Sequence, residues 1–187
     1  MKSFSASRWL GLAIAAWVAS TLLAGCATPA NAPLARLSQV VRELPGADPR
    51  WQQSDPDAAG VRVWRDGRLI RASRGMALRA GDEVETGAQA AAVIRFRDTG
   101  ETVLDERTRV RIGSLEVLFG RIFAKVKNLF EASSENVVAG VEGTRFLFEV
   151  RPDRSVRVAV ADGVVACRSR SNAWAPFRLR PNEAMFS

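Results

Sequence analysis

The 187-residue chain has no histidine, no tyrosine and only two cysteines. Without histidine there is no Ser-His-Asp or Cys-His arrangement, no general base poised near neutral pH, and none of the commonest transition-metal ligand. Cys167 has no second cysteine at metal-ligand spacing, and no phosphate-binding loop, dinucleotide fingerprint or EF-hand loop occurs. Acidic residues fall mainly at turns or beside arginines. The doublets Asp82-Glu83 and Asp105-Glu106 come nearest to a glycosidase pair, yet adjacent residues on a strand point to opposite faces. No enzymatic activity is expected, and no cofactor or metal is implied.

Low-complexity tracts are also lacking. With 47% hydrophobic and 25% charged residues the composition is that of a globular protein, and the length suits one domain with a real core. Lys2 and Arg8 are the only charges before residue 26, so removal of that stretch lowers the net charge from +7 to +5. The arginines are scattered among acids along most of the chain, and no nucleic-acid partner is expected.

One long apolar run is present, at the start. A basic segment, Met1 to Arg8, precedes the uncharged stretch Trp9 to Leu23, which is shorter than the roughly 20 residues that span a bilayer and ends in small residues. This is the pattern of a processed export signal. The quartet Leu23-Ala24-Gly25-Cys26 resembles a bacterial lipobox, which implies diacylglycerol on the Cys26 thiol and cleavage before it. By the same resemblance, Ala27 rather than Asp after the cysteine implies sorting to the outer membrane. The expectation is a lipid-anchored protein of the cell envelope, facing the periplasm, with the membrane as one partner. Acylation of Cys26 would leave Cys167 alone, either as a small buried residue behind Val164, Val165 and Ala166 or as one half of an intermolecular disulfide.

Three segments are expected: a signal peptide over 1–25, a tether with a short helix over 26–60, and a β domain over 61–187. Ala27 to Pro33 has a linker composition. Leu34, Leu37, Val40, Val41 and Leu44 recur at helical spacing before Pro45-Gly46, and predict one short helix. After Val61 short β-type runs alternate with Gly and Asp turns. Phe146, Phe148 and Val150 answer Val156, Val158 and Val160 across Pro152-Asp153-Arg154, predicting a hairpin with one buried face. A second hairpin is predicted from Ile94 and Phe96 through Asp98-Thr99-Gly100 to Val103. Further strands are expected at 108–112, 115–119, 121–126, 164–168 and 176–180. The fold class is mainly β, a compact antiparallel β-barrel or β-roll of many short strands.

The ordered series Gly81-Asp82-Glu83-Val84-Glu85-Thr86-Gly87, Asp98-Thr99-Gly100, Gly120-Arg121-Ile122-Phe123, Gly140 to Phe146 and Ala161-Asp162-Gly163 resembles the FecR domain. The similarity covers about Val61 to Cys167, with Arg180-Pro181-Asn182-Glu183-Ala184 resembling the closing segment. Gly81, Asp82, Thr86, Gly87, Gly143, Thr144, Phe146 and Gly163 carry the family motif, and their types suit turns and backbone ties more than chemistry. The best-known members sense an outer-membrane transporter and control a sigma factor through a cytoplasmic segment. An export signal stands at this N-terminus instead, so the resemblance implies a binding or scaffolding role toward an envelope protein or polysaccharide, with a periplasmic sensor role as the alternative.

Two features suit binding. Arg168, Arg170, Arg178 and Arg180 lie in a stretch without acids and form a candidate anion-binding group. Trp51, Trp64 and Trp174 are expected at the core or its rim rather than as sugar-stacking platforms.

Overall fold

The computed structural model describes residues 32–44 and 50–187. Leu23, Ala24, Gly25 and Cys26 lie outside the described residues. Asn31–Ser187 forms one compact unit, and every helix or strand assigned among the described residues is a strand. The first nine are β1 (Ala35–Leu44), β2 (Arg50–Gln53), β3 (Arg62–Arg65), β4 (Arg68–Ile70), β5 (Ala77–Leu78), β6 (Glu83–Glu85), β7 (Ala90–Phe96), β8 (Gly100–Leu104) and β9 (Arg109–Arg111). Then come β10 (Leu115–Val126), β11 (Phe130–Ser133), β12 (Val137–Val150), β13 (Val156–Ser169), β14 (Phe177–Leu179) and β15 (Ala184–Phe186).

The rolled antiparallel fold is as expected. Hydrogen bonding runs β14-β13-β12-β11-β10-β8-β7-β1-β2; β9, β6, β3 and β4 branch from β10, while β15 lies on β13 and β5 on β1. Among the described strands only β10 and β11 pair in parallel. Both expected hairpins form: Phe146, Phe148 and Val150 face Val160, Val158 and Val156, and β7 turns into β8 with Phe96 opposite Gly100.

The predicted helix is a correction. Residues 35–44 form β1, which pairs with β7 and places Ala35, Leu37 and Val40 in the core. A register shift between Leu37 and Gln39 adds one residue, and the Ser38 hydroxyl donates to the Val93 carbonyl there. That bulge stretches the buried spacing from two to three and imitates a helical period. The same strand takes residues 35–44 out of the expected tether and into the folded body.

The long strands explain how two sheet regions share one core. Before Gly120, β10 pairs with β9 and β11; from Gly120 onward it pairs with β8 and β12. β12 passes from β11 to β10 across Glu142-Gly143-Thr144, and β13 passes from β15 to β14 across Gly163. At each crossing the buried positions change parity. In β10 they are Leu115 and Val117, then Ile122, Ala124 and Val126; in β13 they are Val156, Val158 and Val160, then Val165 and Cys167. One extra residue at a strand corner keeps the apolar face inward after the bend. The segments predicted at 115–119 and 121–126 are thus two halves of one strand, and 164–168 is the second half of β13.

Candidate functional site

The family-type residues sit at joints of this roll. Asp82 is only 2% exposed and accepts from Arg65 Nε at 2.9 Å, Arg65 Nη2 at 2.7 Å and the Arg79 amide at 2.8 Å. Arg65 Nη2 also donates to the Ala77 carbonyl at 3.0 Å. Its hydrogen bond to Asp82 raises the guanidinium pKa, against the opposing effect of burial. Gly81, at φ +83°, and Asp82 exchange backbone bonds with Ile112, so the buried carboxylate ties β3 to the turn before β6 while the backbone of the same turn ties it to the end of β9.

The two motif threonines are also tied into the backbone. The Thr86 hydroxyl donates to the Asp105 carbonyl and accepts from the Thr108 amide at 3.0 Å. The Thr108 hydroxyl in turn accepts from the Arg121 amide at 3.0 Å, beside the β10 corner. A Cβ at Gly120 would lie 2.5 Å from Thr108 Cα, so glycine is what admits this approach. Gly87 closes the same joint, accepting from the Arg107 amide. At the other corner the Thr144 hydroxyl donates to the Glu142 carbonyl at 2.8 Å and lies 3.2 Å from that of Val164. Gly163, at φ +86°, packs against that hydroxyl, and Phe146 enters the core two residues on from Thr144.

The four candidate arginines are not brought together as one set. Arg168 pairs with Glu131 at 3.5 Å, and Arg170 turns back onto Ser134 O at 2.8 Å and Ser133 Oγ at 3.0 Å. Arg178 stands opposite Ala166, beside a shallow groove floored by Gly140 and Ala166, and Arg180 is exposed. Cys167 is 1% exposed, and burial pushes its thiol pKa to about 11. Trp174 packs on the core with Phe177 at 5.1 Å, whereas Trp51 is exposed. Trp64 is half-buried with the Arg109 guanidinium 4.2 Å above its ring. Arg109 and Arg111 both reach Glu83, at 2.6 and 2.8 Å, and Arg111 reaches Glu116 at 2.6 Å. Burial would raise the Glu83 pKa, but the hydrogen bonds from Arg111 and Arg109 outweigh it and hold it below the ordinary 4.5.

A feature beyond sequence reasoning lies on the outer face of the region where β7, β8, β10, β12, β13 and β15 pair in turn. Register places Val93, Val103, Phe123, Leu147, Ala159 and Ala184 side by side across β7, β8, β10, β12, β13 and β15. None is buried, and Phe123 is 44% exposed. A groove of about 480 Å³ follows this row, lined by Val103, Phe123, Leu147 and Ala159. Charged residues flank it and are mostly paired within the sheet: Arg95 with Glu101, Arg121 with Asp105 and Glu149, Arg145 with Asp162. An antiparallel sheet with one face on a core ordinarily turns polar residues outward, and six apolar neighbours in line depart from that pattern. The signal was not available from the sequence, because each strand contributes one apolar residue and only pairing aligns them.

Such a molecule is a rolled antiparallel β module whose signature residues hold corners together. Residues 82–166 match the family model described as FecR protein, and this stretch is a FecR domain. FecR proteins are envelope-associated signalling components. No curated protein and no solved structure matches the chain. Among the described residues no group of three or more His, Cys, Asp or Glu side chains could hold a metal ion, and no helix is long and apolar enough to cross a membrane.

Proposed function

We propose that this is a non-enzymatic FecR-domain lipoprotein, anchored in the outer membrane through Cys26, whose β module binds or organises another envelope component. The observation that carries the binding role is the outer apolar row centred on Phe123. The polar atoms of Asp82, Thr86 and Thr144 are engaged in the fold, whereas the row is a continuous apolar strip that burial against a partner would stabilise. Its apolar character favours a protein over a polysaccharide. Intact-mass analysis of membrane-extracted protein should show a diacylglycerol-bearing Cys26, lost in Cys26→Ala. Cross-linking mass spectrometry should then capture one envelope protein, and Phe123→Glu should reduce those cross-links at least tenfold without lowering the melting temperature. Unchanged cross-links in Phe123→Glu would remove the row from the binding role.

The family match favours a second reading, in which the partner is a transducer and the module passes a stimulus to a separate membrane regulator. Genes for a sigma factor and a transporter beside this one would favour it. Neighbours for polysaccharide export or cell-wall assembly would favour the scaffold.

A further inference from the structure

The end of the roll where the chain enters from its N-terminal segment combines exposed leucines with cations. Leu34 is 39% exposed and the adjoining backbone is held by Arg97, whose amide donates to the Leu34 carbonyl at 3.2 Å and whose Nη2 donates to the Pro33 carbonyl at 2.8 Å. The connection after β10 reaches the same place: the Lys127 amide donates to Thr99 O at 2.8 Å and Asn128 Nδ2 to Asp98 O at 2.6 Å. Leu129 follows at 75% exposure, the most exposed large apolar residue among those described, while its neighbour Phe130 anchors the connection edge-to-face on Phe96 at 5.2 Å. Lys125 and Lys127 have no ion-pair partner among the described residues. The acids nearby are Asp98, Glu101 and Glu131, of which Glu101 is taken by Arg95 and Glu131 by Arg168.

We propose that this end lies on the bilayer, with Leu129 and Leu34 in the headgroup region and Arg97, Lys125 and Lys127 against anionic phospholipid. The inference rests on the lipid-anchor reading above. Cys26 precedes Leu34 by eight residues, a covalent reach of at most about 29 Å, so a lipidated chain keeps its entry end close to the membrane. A diacylglycerol on Cys26 would already hold the chain at the bilayer, and a basic patch beside the entry point adds a charge-dependent contact that orients the body on it. The opposite end, at the β12–β13 turn with Arg154, then points away from the bilayer, and the apolar row is presented sideways.

The test is photo-crosslinking of the full chain, carrying p-benzoylphenylalanine in place of Leu129 or, separately, of Arg154, in vesicles of phosphatidylcholine mixed with phosphatidylglycerol, which supplies the anionic surface. Intact mass reads the Cys26 lipid and any phospholipid adduct on the same molecule. A lipidated protein with adducts at position 129, few at 154, and a loss of roughly tenfold in R97E/K125E/K127E or in pure phosphatidylcholine supports the contact. A lipidated protein with equal or no adducts at the two positions overturns it and leaves the anchor intact. Adducts at 129 on a chain without lipid would sustain the contact and sink the anchor, and their absence there would sink both.

Discussion

Gly143 and Gly163 stand at facing positions of the same corner, yet they are required for different reasons. Both have positive φ, but a Cβ on Gly143 would meet nothing within 4 Å, whereas one on Gly163 would lie 2.6 Å from Thr144 Oγ1 and 2.9 Å from the Gly143 carbonyl. Gly143→Ala should therefore cost about 1–2 kcal/mol, the left-handed penalty alone. Gly163→Ala should cost roughly 2–4 kcal/mol, because overpacking adds to that penalty and breaks the Thr144 tie. Urea titration of both variants checks this, and equal midpoints would show that the tie contributes nothing. Sequence spacing marks both glycines as turn residues. It does not reveal which of them is pressed against a neighbour, since that depends on a strand some twenty residues away.

At the scale of elements, the ladder across β3, β6, β9 and β10 ties stability to pH. The folded Glu83 carboxyl titrates below its ordinary 4.5, so its contribution is complete above that value and fades as pH falls through the depressed one. Glu83→Gln should thus melt below the wild type at pH 7, by the equivalent of about 1 kcal/mol or less. The gap should close in acid, and thermal melts between pH 7 and 3 measure it. The hairpins β7–β8 and β12–β13 were legible because alternation and turn residues lie together in sequence. Strand β1 was not, since the bulge at Ser38 moved its buried residues to helical spacing, and a propensity argument cannot tell such a slip from a turn of helix. Strand β10 was divided in two for a related reason: Gly120 ends a local pattern while the chain continues through a corner. The outer row is invisible to any local pattern, as each member is an ordinary single apolar residue on its own strand.

For the whole molecule, the boundary expected at residue 61 leaves out β1 and β2. Without β1, the edge of β7 loses its partner, and the side chains of Ala92 and Ile94 lose Leu37 and Val40 from the shared core. A chain beginning at Val61 should fail to melt cooperatively and should aggregate, whereas one beginning at Ala27 should give a single transition. Circular dichroism and size-exclusion chromatography on the two chains decide it. A cooperative melt from the shorter chain would show that β1 is an accessory to the roll.

Strand β1 has a mechanical consequence as well. Ala35 pairs with Phe96 and Arg42 with Ala90, so the strand enters at the β7–β8 turn and runs inward along the full length of its neighbour. A pull on the chain ahead of Pro33, along the strand axis, loads the whole β1–β7 ladder in shear rather than peeling it bond by bond. Tension arriving through the N-terminal segment would be shared across that ladder, and a body tugged against its attachment would hold its shape until the entire strand slid.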